Sequence, residues 1–224
     1  MISMSAHPPR VARAPYTDRI MFRHYRRLWL AITVLLLWPM LEALACSAEP
    51  RGVTIDPARS RGPAEAAVTV VEFADYQCPY CRRAQSVLDQ LMREFKGKLR
   101  LVYKDLPAPS HAGARPAAEA ARCAAARGVF WEYHDLLFLA SPDFSRDHLI
   151  QYAERLALER DAFAACLDAR HFREQVDADV SEARALGIRE TPTFLINGKP
   201  LVGALPIETF REAITEALRE AGAR

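Results

Sequence analysis

The sequence is poor in metal-binding combinations. Outside one closely spaced pair its five cysteines stand apart, and none of His111, His134, His148 and His171 sits at metal-ligand spacing, so each is expected in packing or at the surface. An excess of charge of one sign is missing as well. Six of the 30 basic residues and two of the 28 acidic ones lie within the first 45, which leaves 24 against 26, a net of −2, for the remainder. A near-neutral body offers no electrostatic footprint for nucleic acid, and none is expected as a partner. Collagen-like, coiled-coil and low-complexity bias are absent too. Half of the 224 residues are hydrophobic, which fits one ordinary globular domain plus an extension.

The extension comes first. Arg19, Arg23, Arg26 and Arg27 precede an apolar run over 28–38, the form of an export signal. Ala43-Leu44-Ala45 has the small-x-small pattern of a signal-peptidase site, and cleavage there leaves Cys46 first. A cysteine in that place also suits lipidation, although Ala43 stands where leucine is usual. An uncleaved membrane anchor over 28–45 is the third reading; it is at the short end for a span and Glu42 interrupts it. All three put the globular part outside the cytoplasm. Residues 1–45 are thus read as leader or anchor, 46–62 as a linker or irregular edge rich in proline and glycine, and 63–221 as the domain.

The domain is organised around residues 68–81. Val68-Thr69-Val70-Val71-Glu72-Phe73-Ala74 is β-branched and almost wholly apolar, as in a central strand covered on both faces. A helix follows: Pro79 suits a first turn, Ala84, Val87, Leu88, Leu91, Met92 and Phe95 recur at helical spacing, and Gly97 supplies the stop. Cys78 then lies at a helix N-terminus, where unpaired N–H groups and the helix dipole favour a thiolate. A thiolate is the attacking species in disulfide exchange, and Cys81, one turn on, can resolve a mixed disulfide. The strand-to-helix context of this C-x-x-C makes it a redox signature; a permanent staple or half of a zinc site are the alternatives.

Residues 99–105 alternate apolar and polar and give a second strand, parallel to the first across a βαβ crossover. A proline-rich loop over 106–116 leads into helices up to 186. Pro116 opens the first of them, Ser145 or Asp147 and Asp161 are read as caps, and Phe130, Trp131 and Phe138 as core, with solvated faces accounting for the charges. Residues 193–197 form a third strand, Asn197-Gly198 a tight turn, and Leu201-Val202-Gly203 its antiparallel partner. A helix with Pro206 in its first turn and Ile207, Phe210, Ile214 and Leu218 on one face closes an α/β fold of the order βαβ, helical block, ββα.

Phe73-Ala74-Asp75-Tyr76-Gln77-Cys78-Pro79-Tyr80-Cys81, followed far downstream by Glu190-Thr191-Pro192-Thr193-Phe194, resembles the DsbA-like thiol:disulfide oxidoreductases of the thioredoxin superfamily from about Gly62 to about Ala221. The resemblance implies a thioredoxin-like fold (βαβ…ββα) with a helical insertion at about 106–187. It implies catalysis by Cys78 and Cys81 around the dipeptide Pro79-Tyr80, and a cis Thr191-Pro192 facing them that leaves backbone groups for an extended substrate. Glu72, six residues before Cys78, falls where relatives carry a buried acid. Such a carboxyl has a raised pKa and exchanges a proton with Cys81; a strand-edge glutamate reaching water is the alternative. No cofactor beyond the cysteine pair is implied. The implied partners are reduced or unfolded exported proteins and a membrane redox partner that recycles the pair, with the enzyme a monomer. Tyr80 replaces the histidine of the best-known oxidases, which leaves reductase or isomerase open beside oxidase.

Cys123 and Cys166 fall on different helices of the insertion. In an oxidising compartment they are expected to pair; two buried free thiols are the alternative. The competing class of function is a non-catalytic module that holds Cu(I) between Cys78 and Cys81, or a peptide.

Overall fold

Seven consecutive residues, mostly β-branched or apolar, suit a strand covered on both faces, and Val68–Ala74 is buried throughout in the middle of a sheet. The computed structural model describes residues 52–140 and 143–223; the leader, the cleavage site and Cys46 lie outside the described residues. Five strands, β1 (Ser60–Arg61), β2 (Val68–Ala74), β3 (Leu99–Asp105), β4 (Thr193–Ile196) and β5 (Lys199–Val202), form one sheet in the spatial order β1-β3-β2-β4-β5. β2 runs parallel to β3 and antiparallel to β4, so that Glu72 sits opposite Tyr103 on one side and Phe194 on the other. Among the described residues the helices are α1 (Pro79–Glu94) between β2 and β3, then α2 (Ala114–Ala125), α3 (Phe130–Leu139), α4 (Arg146–Arg155), α5 (Arg160–Asp168) and α6 (Arg173–Ala185) as the insertion, and α7 (Ile207–Gly222) after β5. None is long and apolar enough to cross a membrane.

The sheet has a core on each face. Ala84, Leu88 and Leu91 of α1 and Phe210, Ile214 and Ala217 of α7 pack on Val68, Val70, Leu101 and Phe194. On the other face Val71, Phe73, Val102 and Leu195 meet Ala183 of α6, Ile188 and Val53. The insertion has a third core of its own, where the small side chains of α2 let Tyr133, Leu137, Leu149 and Phe163 come close. Cys123 of α2 and Cys166 of α5 are joined there by a disulfide closing 43 residues.

β3 departs from the alternation read in its sequence: all seven residues are buried, Arg100 and Lys104 included. Arg100 donates to the Ala64 carbonyl at 3.3 Å and to Ser60 Oγ at 3.4 Å, whereas Lys104 joins a set of ion pairs between remote segments. Arg59 and Arg122 both bridge Asp105 and Asp179, at 2.6 to 3.0 Å, and Lys104 Nζ reaches Asp179 at 3.0 Å and Glu182 at 2.7 Å. The charges of the insertion are therefore not all on solvated faces, because Glu119, Arg122 and Asp179 are buried with partners. Arg59 comes from the segment read as linker or irregular edge. Asp56 caps a 3₁₀ turn at Pro57–Arg59, and β1 continues antiparallel along β3, pairing Ser60 with Val102 and Arg61 with Leu101.

Three helix ends shift. α2 begins at Ala114, two residues before Pro116, because Gly113 is already tied to the active-site turn. α5 is capped by the Glu159 carboxylate, which accepts from the N–H groups of Asp161 and Ala162, rather than by Asp161. Pro206 precedes α7 instead of lying in its first turn. At the β4–β5 turn Asn197 and Gly198 both have positive φ, 47° and 86°, as the tight turn requires. β5 is an open border carrying Lys199 and Pro200.

Candidate active site

The site begins in the turn after β2. Asp75 Oδ1 accepts from the Gln77 N–H at 2.7 Å and its backbone carbonyl from the Cys78 N–H at 3.1 Å, which delivers Cys78 as the N-cap of α1 with Pro79 as first helical residue. Asp75 Oδ2 accepts from Ala108 N–H and from His111 Nδ1, both at 2.8 Å, and the Gly113 N–H donates to Gln77 Oε1 at 2.6 Å. Two side chains of the turn thus pin the loop that follows β3. A Cβ on Gly113 would stand 3.2 Å from the Gln77 amide, so any larger residue there would press on the side chain that holds this loop.

Cys78 and Cys81 are both free thiols and both buried, Cys78 at 5 % exposure and Cys81 at none. Their ionisation is split widely. A hydrogen bond from the Cys81 S–H is the largest stabiliser of the Cys78 thiolate; against the opposing effect of burial, and helped by the backbone N–H of Cys81, the Thr191 side chain and the backbone N–H of Tyr80, it brings Cys78 down to about 5. The first-turn N–H groups that the sequence reading put foremost come second to the neighbouring thiol. Cys81 is driven the other way, far above an ordinary thiol, first by burial, then by its bond to Cys78 and by the charge of Glu72. The Asp75 N–H approaches Cys81 Sγ at 3.5 Å.

Glu72 lies fully buried in the strand. Burial raises its carboxyl to about 8, opposed by a single hydrogen bond from Gln85 Nε2 to Oε1 at 3.0 Å. Oε2 is buried with no hydrogen-bond partner among the described residues. Thr191-Pro192 forms a cis bond at the start of β4, and the Cys78 thiol points to the Thr191 carbonyl at 3.5 Å. Tyr80 projects into solvent at 54 % exposure with the Arg83 guanidinium 4.5 Å over its ring. The structure thus brings Cys78, Cys81, Glu72, Pro79, Tyr80, Thr191 and Pro192 to one place, and leaves Cys123–Cys166 within the insertion.

Residues that the sequence reading gave no role also converge here. Asp75, Tyr76 and Gln77 belong to the motif itself, and Gln85 stands one turn beyond Cys81 on the same helix face, a spacing that signals proximity. His134 carries no such signal; it is buried from α3, with the rings of Tyr76, Tyr103, Phe130, Trp131 and Phe138 4.8 to 5.6 Å away. Among the described residues no group of three or more His, Cys, Asp or Glu side chains is arranged to hold a metal ion.

A family model described as "Thioredoxin" matches residues 55–216. Among solved structures, oxidised BdbD from Bacillus subtilis superimposes with a TM-score of 0.67 at 26% identity, over 72% of this chain and 92% of that one. A thioredoxin-like oxidoreductase from Silicibacter pomeroyi gives 0.66 at 28% identity, over 73% and 94%. α-DsbA1 of Wolbachia pipientis, at 19% identity and 0.68, shares the fold over 80% of this chain and 98% of its own. Curated relatives carry another name: the Na(+)/H(+) antiporter NhaA 3 of Salinispora tropica is 40% identical over 175 residues, 77% of this chain and 27% of that protein, and NhaA 1 of Salinispora arenicola 41% over 168 residues, 74% and 26%. The chain spans about a quarter of the length of these relatives. On the sheet order, the C-x-x-C at the head of α1, the family match and the superpositions together, the chain is a DsbA-like member of the thioredoxin superfamily.

Proposed function

We propose that the protein is an exported thiol:disulfide oxidoreductase that donates the Cys78–Cys81 disulfide to folding proteins. The observation that supports it best is the opposite displacement of the two thiols, Cys78 down to about 5 and Cys81 far up. A client thiolate attacks Cys78 Sγ, and the Cys78–Cys81 bond breaks with its electron pair on Cys81, which takes a proton from Glu72. A second client thiolate then attacks the client sulfur of the mixed disulfide; the client disulfide forms and Cys78 leaves as its stabilised thiolate. The enzyme has gained two electrons, which a membrane redox partner must remove. Stabilising the reduced form in this way makes the disulfide oxidising, which favours donation over the reductase or isomerase reading. Thr191 and Pro192 supply backbone groups to an extended client, Pro79 sets the first turn of α1, and the exposed Tyr80 lines the approach. The Cys123–Cys166 bond supports an oxidising compartment, in keeping with residues 1–45 as leader or anchor before a catalytic domain over 63–221.

The test is refolding of a reduced, disulfide-containing protein by wild type and Cys78→Ser. Loss of turnover in the variant is expected. Equal rates would sink the enzyme reading, and stoichiometric Cu(I) binding by the same pair would then replace it with a metal carrier. The antiporter names of the curated relatives favour a second reading, in which the domain exchanges disulfides with a membrane transporter rather than with folding chains.

A further inference from the structure

Glu72 is reached from the insertion by one unbroken run of side chains. Tyr76, two residues before Cys78, has its hydroxyl 3.2 Å from Nδ1 of His134 on α3; His134 Nε2 lies 3.2 Å from Gln85 Oε1 on α1; Gln85 Nε2 donates to Glu72 Oε1 at 3.0 Å. The polarity of the run follows from its members. Once ionised, the Glu72 carboxylate only accepts, so Gln85 then turns its amide N–H toward Glu72 and its carbonyl toward His134. The His134 ring, lowered to about 3 first by burial and then by Arg61 on β1, stays neutral. Its one proton is therefore on Nε2, where it is donated to Gln85, and the bare Nδ1 accepts from Tyr76. Every hydrogen in the run points toward Glu72.

We propose that Gln85 and His134 are positioning residues for the half of the exchange that moves a proton at Cys81: the insertion, through the run Tyr76–His134–Gln85, fixes the orientation of the hydrogen bond that the Glu72 carboxyl receives, and with it the pH range in which Glu72 gives up its proton. This rests on the reading of Glu72 as the proton partner of Cys81 and assigns the insertion a part in it. The carboxyl has no other donor among the described residues, since Oε2 is unpartnered. The groups facing it are few. Cys81 on α1, Tyr76 in the turn and Tyr103 on β3 are the titratable neighbours, β4 opposes it with Phe194, and Asp105 and Arg59 act on Tyr76 from beyond. Among the described residues no cation stands against the carboxylate in place of Gln85, so the neutral amide is what keeps its ionisation within reach of neutral pH. Turning that amide over would aim its carbonyl at the carboxylate, and the His134 N–H is what prevents this.

The test follows the Glu72 ionisation directly, by carbon NMR of labelled glutamate in the reduced full-length protein, beside the pH profile of mixed-disulfide formation at Cys78, the step in which Cys81 is released and takes its proton. Gln85→Met, which keeps the volume and removes the donor, is expected to raise the Glu72 midpoint by about one pH unit and to move the profile with it. His134→Phe keeps the ring packing and should shift both in the same direction, while His134→Gln, which restores an N–H, should bring them back toward wild type. Near-ultraviolet circular dichroism checks that each variant keeps its fold, and Gln85→Met carries the test alone if a His134 variant does not. In a Glu72→Gln background neither substitution should change the profile. A Glu72 midpoint unmoved in folded Gln85→Met overturns the inference. Should Glu72→Gln by itself leave the profile unchanged, the underlying role of Glu72 fails instead, so the two failures are distinguishable.

Discussion

Glu72 bears on stability as well as on exchange. Its carboxyl ionises near 4.5 in an unfolded chain and near 8 in the folded one. Between those values the unfolded chain holds fewer protons than the folded one, so stability falls as pH rises, by roughly 5 kcal/mol across the window. The cost is absent below about pH 4 and complete above about pH 8. Glu72→Gln should therefore melt close to wild type at pH 4 and well above it at pH 8, both in the reduced form. An equal gap at the two pH values would show that Glu72 does not ionise in this window. Sequence alone made Glu72 conspicuous, an acid in an otherwise apolar strand. It set Gln85 one turn from Cys81 but could not join it to Glu72, because glutamine on the polar side of an amphipathic helix is ordinary until one knows that the helix leans on that strand.

At the scale of elements, β2, α1, β3 and the β4–β5 hairpin were all legible, since each is fixed by local signals: apolar runs, Pro79, Gly97 and Asn197-Gly198. What misled was β3. Its residues alternate apolar and polar in sequence, yet Lys104 is buried and neutralised by Asp179 and Glu182 from α6, 75 residues away at Asp179, and Asp105 by Arg59 from the segment before β1. Pairings across such distances leave no periodic trace. The ion set ties α6, α2 and the entering segment to the end of β3, directly before the loop that Asp75 and Gln77 hold. Removing one partner leaves opposite charges buried and unmatched, so Asp179→Ala should cost on the order of 3 to 5 kcal/mol, measurable by urea unfolding. A loss under 1 kcal/mol would mean that water reaches the cluster. The Cys123–Cys166 bond, closing its 43-residue loop, adds roughly 3 to 4 kcal/mol within the insertion.

For the molecule as a whole, composition and charge excluded more than they identified, and the two motifs supplied the family. The order of the helices was readable, whereas their exact ends were not, because capping passed to Gly113 and Glu159 through contacts that only the packed chain makes. Client choice belongs to this scale. Cys81→Ser leaves Cys78 to form mixed disulfides that cannot be released from within, and the trapped species should be many different exported proteins. A single membrane antiporter in the trap would favour the transporter reading, and cytosolic proteins alone would defeat export.

The free margin of the sheet bears on this traffic. On the proposed reading the domain meets unfolded polypeptides, for which an open strand is a ready template, and a guest that zipped onto it would stay. Pro200 has no hydrogen to offer such a guest and Lys199 sets a charge beside it. Visitors are thereby denied a lasting berth at that margin, and what holds them is the brief sulfur bond at the other end of β4, which the next thiol undoes.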